Sequence, residues 1–501
     1  MSNKSKSSSD NNDFMSTFIE AGGTLIMVLL KTLFDGMFFL FNRYVLKIAG
    51  EEKDFKINKE ILKRKKTCNG EDDLGYSLNR NKIIKTSDLV KKRHTAIVGA
   101  SGYGKTVLLD VLMYDDMKKG KPVVFIDPKG DKATLLKFIN LCRIAKREFN
   151  VFSVGYFDHG KCALNTVADG NVTNIVDRIH SSFKWSEPHY EYKCYEALRD
   201  AVKKIKRENR DLSLKEIHQT LLDISTPEAF KKGGHDRNQI QGIITRIGNI
   251  IDSEFGPMLD SKDALSFSKI REEKKCVYIG LPVLGYAEVA KALGKIFLGD
   301  LAYSISDQFA QLTSYELNNL NPMGVYIDEL SAVITDNYIE VLNKCRGAGV
   351  ELNYAFQSPS DIEKVNPQLI TQMLESTDNW FIFKQRMESG AGLFAEAIGT
   401  KTTKKLTSRV EDGREQDMGS QREVEELIVH HNIIKNLQIG QSILLRQAPT
   451  KVDLLQIKFI DPRVVDFNVE FLENEGAIDK LPALTHTTNS IKPTPQLWES
   501  R

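Results

Sequence analysis

The sequence predicts an α/β protein in which a parallel β-sheet carries a phosphate-binding loop and an all-α segment interrupts the sheet-forming chain. Two observations lead to this fold class. Short β-branched runs alternate with helical stretches in residues 91–171 and again in residues 266–465, which is typical of a parallel sheet covered by helices. Between them, residues 172–265 lack strand-like runs and show the i, i+3, i+4 spacing of amphipathic helices.

Length and composition limit the class of protein. A chain of 501 residues is too long for one compact core, so two or three structural units are expected. The net charge of +2 excludes a uniformly basic nucleic-acid binder, and any such contact must come from local patches. The six cysteines are scattered without a C-x-x-C pair, which indicates reduced thiols and argues against a zinc site.

The most informative motif is the run GASGYGKT, which fits the pattern G-x-x-x-x-G-K-[ST] at every fixed position. A β-branched run at 94–98 precedes it and a helical run at 107–113 follows it, so backbone N–H groups and a helix N-terminus can hold phosphates there. Lys105 is expected to reach the β- and γ-phosphates, and Thr106 to ligate Mg²⁺. The predicted nucleotide-binding residues are Gly99, Ala100, Ser101, Gly102, Tyr103, Gly104, Lys105 and Thr106.

The second part of such a site is expected at an acidic strand end. Asp127 and Asp328 each follow a predicted strand, but Pro128 comes after the first and Glu329 after the second. Only the second position offers a carboxylate for the metal shell with an adjacent base. We therefore predict that Asp328 serves the Mg²⁺ shell and that Glu329 polarises the attacking water. An ordinary acidic helix cap after a strand is the alternative.

Two further residues are candidates for the same reaction. Gln357 follows the predicted strand 352–356 and so reaches the carboxyl edge of the sheet, where it can sense the γ-phosphate. A buried capping glutamine is the alternative. Arg346 ends the preceding predicted helix and is a candidate arginine finger for a neighbouring subunit's phosphates, whereas an ordinary exposed helix arginine is the alternative.

The N-terminal region contains a largely apolar stretch at residues 14–46 without a signal-peptide cleavage site. Its longest uncharged run, 21–30, is too short to span a bilayer alone, and Lys31 and Asp35 interrupt any longer span. We interpret the stretch as a membrane anchor, and an interfacial helix or a helix packed on a soluble body remain alternatives. The basic run 63–66 would place the body on the cytoplasmic side.

The order of the motifs resembles that of the type IV coupling proteins of conjugative and secretion systems, the TraD/TraG-like group in the HerA/FtsK class of motors. The resemblance spans residues 91–460 and rests on the glycine-rich loop, the run DPKG at 127–130, the run RGAGV at 346–350 and the pair Gln357-Ser358. It implies a RecA-like P-loop ATPase with an inserted all-α domain and an N-terminal membrane-anchor helix. It also implies ATP and Mg²⁺ as cofactors, and a homo-hexamer at the cytoplasmic face of the inner membrane.

The partners that the resemblance implies are single-stranded DNA with its relaxosome, or a secreted protein substrate, and the channel components of a type IV secretion system. The expected function is to recruit a DNA–relaxase or protein substrate and to drive its transfer into that channel by ATP hydrolysis. A soluble HerA/FtsK-like DNA translocase is one alternative. A substrate-docking platform, whose assembly is set by ATP binding, is another.

The predicted organisation follows from these motifs and from the changes in composition along the chain. Its six parts are a polar leader with the anchor segment at 1–50, a connecting segment at 51–90, the first part of the nucleotide-binding domain at 91–171, the inserted all-α domain at 172–265, the second part of the nucleotide-binding domain at 266–465 and a polar tail at 466–501.

Overall fold

The structure is a computed structural model that describes residues 59–155, 161–259, 263–335, 338–411 and 414–459, together with positions 37, 57 and 261. Within residues 404–411 and 414–421 only the backbone is described. Apart from position 37, the proposed anchor at 14–46 lies outside the described residues, and so does the tail at 466–501. Within the described ranges, no helix combines the length and the apolar character that a bilayer crossing requires.

The strands have the following bounds: β1 Asp73–Ser77, β2 Lys82–Lys85, β3 Thr95–Val98, β4 Val123–Asp127, β5 Phe149–Phe152, β6 Cys276–Gly280, β7 Met323–Ile327, β8 Val350–Phe356, β9 Asn379–Ile382, β10 Thr400–Glu411, β11 Arg414–Leu427, β12 Gln441–Gln447 and β13 Thr450–Ile457. Most of the central strands are buried along their whole length, as strands covered on both faces must be.

The main sheet of the described residues has the strand order β2-β1-β13-β12-β9-β3-β8-β7-β4-β6-β5. The seven strands from β9 to β5 are parallel to one another, and β12, β13, β1 and β2 extend the sheet through antiparallel pairs. The two short strands within the segment 51–90 are therefore part of the main sheet. The parallel sheet predicted from the alternating pattern is confirmed.

The helices have the following bounds: α1 Lys105–Lys118, α2 Lys132–Ile144, α3 Val172–His180, α4 Pro188–Arg207, α5 Leu214–Asp223, α6 Pro227–Lys231, α7 Arg237–Ile251, α8 Phe267–Glu272, α9 Ala287–Gln311, α10 Ser314–Asn319, α11 Tyr338–Cys345, α12 Pro359–Glu363, α13 Leu369–Ser376, α14 Glu388–Ile398 and α15 His431–Lys435. Short 3₁₀ turns lie between several of these elements, including one at Lys91–Arg93 before β3.

Alternate residues of the parallel strands face two separate hydrophobic layers. On one face, Ile97 and Phe125 pack with side chains of α1 and α2, such as Leu112 and Phe138. The other face carries Val98 and other strand residues of opposite parity, which pack with α9 and the helices of the C-terminal half. This two-residue period is the reason that each β-branched run is buried on both sides.

Helices α3–α7 lie between β5 and β6, where the sequence predicts an all-α segment. Helices α4, α5 and α7 pack on one another through fully buried aliphatic side chains, among them Leu198, Ile217 and Ile243. A helical layer of this kind forms because each helix presents one apolar stripe to its neighbours. The exact limits of an independent domain, at 172 and 265, stay a prediction.

Candidate functional site

The glycine-rich loop at 99–104 connects β3 to α1 at the carboxyl edge of the parallel strands. Its backbone is held by β8 and by the chain just after β9, because the Gly99 N–H donates to the Phe356 carbonyl at 3.3 Å and the Ala100 N–H donates to the Lys384 carbonyl at 3.0 Å. A Cβ atom at Gly99 would lie 2.4 Å from Cβ of Phe383, so this close approach requires glycine. The loop is thus held rigidly at the sheet edge.

Lys105 is the first residue of α1, and its side chain is buried over the loop. Its Nζ donates to the Gly99 carbonyl at 2.6 Å. Burial lowers the pKa of Lys105, and the nearby carboxylates of Glu329 and Asp328 oppose that shift. The ammonium group and the amino terminus of α1 together provide positive potential at the point where phosphates are expected.

Thr106 and Asp328 meet although more than two hundred residues separate them in the chain. The Thr106 hydroxyl lies 3.3 Å from Oδ2 of Asp328, which directly follows β7. The Asp328 side chain is buried, and its Oδ1 atom has no hydrogen-bond partner among the described residues. A buried carboxylate oxygen without a partner costs free energy unless a cation or water meets it. Hydroxyl and carboxylate oxygens are also the ligands that Mg²⁺ prefers, so these two residues fit a magnesium shell.

Glu329 and Gln357, the predicted base and sensor, are hydrogen-bonded to each other. Gln357 follows β8, and its Nε2 donates to Oε2 of Glu329 at 2.9 Å, while the Ser331 hydroxyl donates to Oε1 at 2.9 Å. The backbone of Glu329 is left-handed, with φ 67°, a conformation that costs free energy for a residue with a Cβ. The structure thus fixes this carboxylate beside the loop from both of its oxygens.

Lys129 is a residue of this site that the sequence analysis did not assign. Its Nζ lies 2.7 Å from Oδ2 of Asp328. Partial burial would lower the pKa of Lys129, but Asp328, together with the charges of Asp127 and Glu329, holds the pKa above its ordinary value. The signal for this residue was the DPKG run after β4. What the run could not indicate is that β4 and β7 are neighbours in the sheet.

Asp127, the rejected candidate for the metal shell, has other partners. It is fully buried, and it accepts hydrogen bonds from the Tyr278 hydroxyl at 2.7 Å and from the Lys129 N–H at 3.0 Å. Burial raises the pKa of Asp127 to about 6, and these two hydrogen bonds oppose the rise. Its carboxylate therefore supports the turn that carries Lys129.

The structure does not bring Arg346 to the other site residues of the same chain. Arg346 is exposed in the turn between α11 and β8, which is the amino edge of the sheet. It lies near His94, whose pKa is lowered to about 4, first by burial and then by the charge of Arg346. The His94 Nε2 lies 2.8 Å from the Leu342 carbonyl, and Nδ1 accepts from the Leu352 N–H, so a neutral imidazole joins β3 to β8 here.

A cavity of about 420 Å³ opens beside the loop, on the side of Gln357. Ala100 and Ser101 line it together with Lys384, Arg386 and the start of α14. Acidic side chains line it as well, since Asp361 and Glu363 also face the cavity. The cavity therefore gives a ligand space of mixed charge next to the predicted phosphate position.

Comparison with known proteins first defines the class. The family described as the central domain of the helicase HerA matches residues 74–280, which include the glycine-rich loop and the helical segment. Among solved structures, VirB4 of Thermoanaerobacter pseudethanolicus has a TM-score of 0.51 at 12% identity, over 79% of this chain and 98% of that chain. The family match and the site geometry identify a P-loop NTPase domain similar to the central domain of HerA. No curated protein sequence matches the chain.

The second family model is more specific. It is described as the TraM recognition site of TraD and TraG, and it matches residues 322–440. The bacterial conjugative coupling protein TrwBdeltaN70 has a TM-score of 0.57 at 17% identity, over 80% of this chain and 92% of that chain. TrwB in complex with ADP and Mg²⁺ has a TM-score of 0.53 at 18% identity, over 82% and 94%. The two family matches confirm the resemblance to the type IV secretion system coupling ATPases that was recognised from the motifs.

Proposed function

We propose that this chain is an ATP-hydrolysing coupling protein that recruits a DNA–relaxase or protein substrate and drives its transfer into a type IV secretion channel. The observation that carries the enzymatic part is the meeting of Thr106, Asp328, Glu329 and Gln357 at one edge of the sheet, beside the loop. The family match to the TraM recognition site of TraD and TraG supports the transfer part. TrwB, which has the same fold, has been solved with ADP and Mg²⁺.

In this proposal the loop residues 99–106 bind the phosphates of ATP through backbone N–H groups, and Lys105 pairs with the β- and γ-phosphates. Thr106 and Asp328 hold Mg²⁺, which neutralises phosphate charge when bound. Glu329 polarises the attacking water, and its carboxylate is already oriented by Ser331 and Gln357. Gln357, being exposed at the same edge, senses the γ-phosphate and reports it to Glu329.

Arg346 belongs to the proposal as a finger that acts on a neighbouring subunit in a homo-hexamer. Two observations support this role. The length of β3 separates Arg346 from the loop of its own chain, and Arg346 is exposed. An arginine placed in this way can reach phosphates only across an interface between copies. The location at the cytoplasmic face of the inner membrane, through the anchor at 14–46, is part of the same proposal.

The test is the ATPase activity of the full-length protein, measured with and without single-stranded DNA over a range of protein concentrations. We expect stimulation by DNA and a steeper than linear dependence on protein concentration, because the finger would come from another copy. Lys105→Ala should weaken nucleotide binding, whereas Glu329→Gln should bind ATP and fail to hydrolyse it. The matched control is Glu340→Gln, a change of the same type in α11.

The same variants separate the alternatives. In a conjugation or secretion assay, substrate transfer that survives Glu329→Gln would favour a docking platform over a motor. If duplex DNA stimulates the ATPase activity more strongly than single-stranded DNA does, a HerA-like translocase is favoured. The match to the HerA family is consistent with that alternative. A protein that shows no hydrolysis under any of these conditions would refute the enzymatic proposal.

A further inference from the structure

The Lys129–Asp328 ion pair joins the turn after β4 to the acidic end of β7, and the proposed function gives Lys129 no role. The Asp328 side chain is 1% exposed, whereas the Lys129 side chain is 49% exposed, so a half-exposed cation meets a buried anion. Oδ2 of Asp328 is within hydrogen-bond distance of both the Lys129 ammonium group and the Thr106 hydroxyl. One carboxylate oxygen therefore serves the lysine and the side chain expected to ligate Mg²⁺.

The turn that carries Lys129 is built to place it there. The Asp127 carboxylate accepts the Lys129 N–H at 3.0 Å, and the Pro128 carbonyl accepts the Val283 N–H at 3.0 Å. Gly130 has φ 59°, and a Cβ atom there would lie 2.8 Å from Cδ of Pro282, so the turn is pressed against the chain that leaves β6. The backbone of the lysine is thus fixed, and only its side chain is free to move.

The charges at this point have a direct consequence for metal binding. An ammonium group 2.7 Å from a buried carboxylate balances its charge, and a divalent cation held by the same carboxylate would be repelled by that ammonium group. Without either cation, the buried Asp328 carboxylate would face the phosphates of a nucleotide with only Lys105 as a nearby positive charge, and the phosphates need that charge themselves. The two cations can therefore replace each other, but they cannot easily act together.

We propose that Lys129 is a positioning residue whose ammonium group competes with Mg²⁺ for Asp328 and balances this carboxylate whenever nucleotide binds without the metal. The inference rests on the proposed function, since it concerns the same nucleotide site. It assigns to the DPKG run a role in metal exchange. Its specific consequence is that Lys129 reduces the dependence of nucleotide affinity on Mg²⁺.

The experiment measures the dissociation constant of a fluorescent ADP analogue on the full-length protein, with saturating Mg²⁺ and with a chelator. The quantity of interest is the ratio of the constant in chelator to the constant in Mg²⁺. We expect Lys129→Met to raise this ratio about five- to tenfold, mainly through weaker binding in chelator. The expected change is no larger because Lys129 is half-exposed, and solvent screens part of its charge. Lys129→Arg keeps the charge and should keep the ratio near that of the wild type.

Two controls make the result specific. Lys132→Met removes the same charge three residues further on, at the exposed start of α2, and should leave the ratio unchanged. In an Asp328→Asn background, Lys129→Met should have no further effect on the ratio, because the carboxylate for which the cations compete is gone.

An unchanged ratio in Lys129→Met would overturn the inference. Equal weakening in chelator and in Mg²⁺ would also overturn it, because a lysine that merely attracts phosphates acts equally under both conditions. If the wild-type protein failed to bind the analogue under either condition, the proposed nucleotide site itself would be wrong, and that outcome is distinct from the other two.

Discussion

Replacing Tyr278 with phenylalanine removes a single oxygen atom from the interior of the sheet and tests how Asp127 is held. Both side chains are fully buried, and the Tyr278 hydroxyl donates a 2.7 Å hydrogen bond to Oδ2 of Asp127. Burial raises the pKa of Asp127 to about 6, while this bond opposes the rise by favouring the ionised form. The lost bond should therefore matter most where the carboxyl group is ionised.

Above a pH of about 6 the bond is made to a carboxylate, so we expect Tyr278→Phe to lower the free energy of unfolding by about 1.5–3 kcal/mol. At lower pH the bond is made to a neutral carboxyl group, and the expected loss is about 0.5–1.5 kcal/mol. Between the ordinary pKa near 4 and the folded value of about 6, the folded state binds more protons than the unfolded state. Stability therefore declines as pH rises through this window, and the variant, with a higher folded pKa, should decline further.

The assay is urea unfolding of the wild type and of the variant at about pH 5 and about pH 8, on either side of the folded pKa. Tyr303→Phe is the matched control, because the Tyr303 hydroxyl makes only a 3.4 Å contact with Asp307 on a partly exposed helix face. A loss of stability that is the same at both pH values, or larger at about pH 5, would refute the reasoning.

The remaining predictions concern other parts of the fold and site. Lys91→Met should cost about 3 kcal/mol of unfolding free energy, since Lys91 is buried between two aspartates. Burial alone would raise the pKa of Asp115, but Lys91 and the hydrogen-bond partners hold it at about 2. The contribution of the Asp115 carboxylate to stability is lost as pH falls through its folded pKa. Because Lys91→Met raises that pKa, the loss should be complete at a higher pH in the variant than in the wild type, as denaturant titration across pH will check. Gln357→Ala should lower the single-turnover hydrolysis rate about tenfold, because one hydrogen bond to the Glu329 carboxylate is lost, while nucleotide affinity stays within about twofold. Arg346→Ala protein should regain ATPase activity when mixed with Glu329→Gln protein, and a mixture as inactive as its parts would contradict a finger acting between copies.

Local patterns in the sequence predicted a large part of this fold. The strand-to-helix turn at the glycine-rich loop, the strand before Asp328 and the strand before Gln357 all lie where their apolar runs predicted them. These elements are predictable because burial on both faces of a parallel strand requires a short, continuous β-branched run. Carboxyl ends of parallel strands share one edge, so the meeting of Asp328 and Gln357 with the loop also followed from the sequence.

The pairing of the outer strands gave no comparable signal. Strands β12 and β13 and the short β1 and β2 extend the sheet through antiparallel pairs, one of which joins residues near 75 to residues near 456. The long antiparallel strands β10 and β11 consist largely of polar and charged residues, which a hydrophobic period does not detect. Pairing of strands far apart in sequence depends on the packing of the whole sheet, and no local pattern records it.

By itself, the sequence determined the class of chemistry: a phosphate-binding loop, an acidic strand end and a glutamine, each on its own element. Only the tertiary structure decided which side chains touch. The position of β4 beside β7 brings Lys129 to Asp328, and the direction of β8 keeps Arg346 at the opposite edge from its own loop. The physical reason is that periodicity fixes which residues of a strand are buried, whereas the order of strands follows from long-range packing that sequence spacing does not encode.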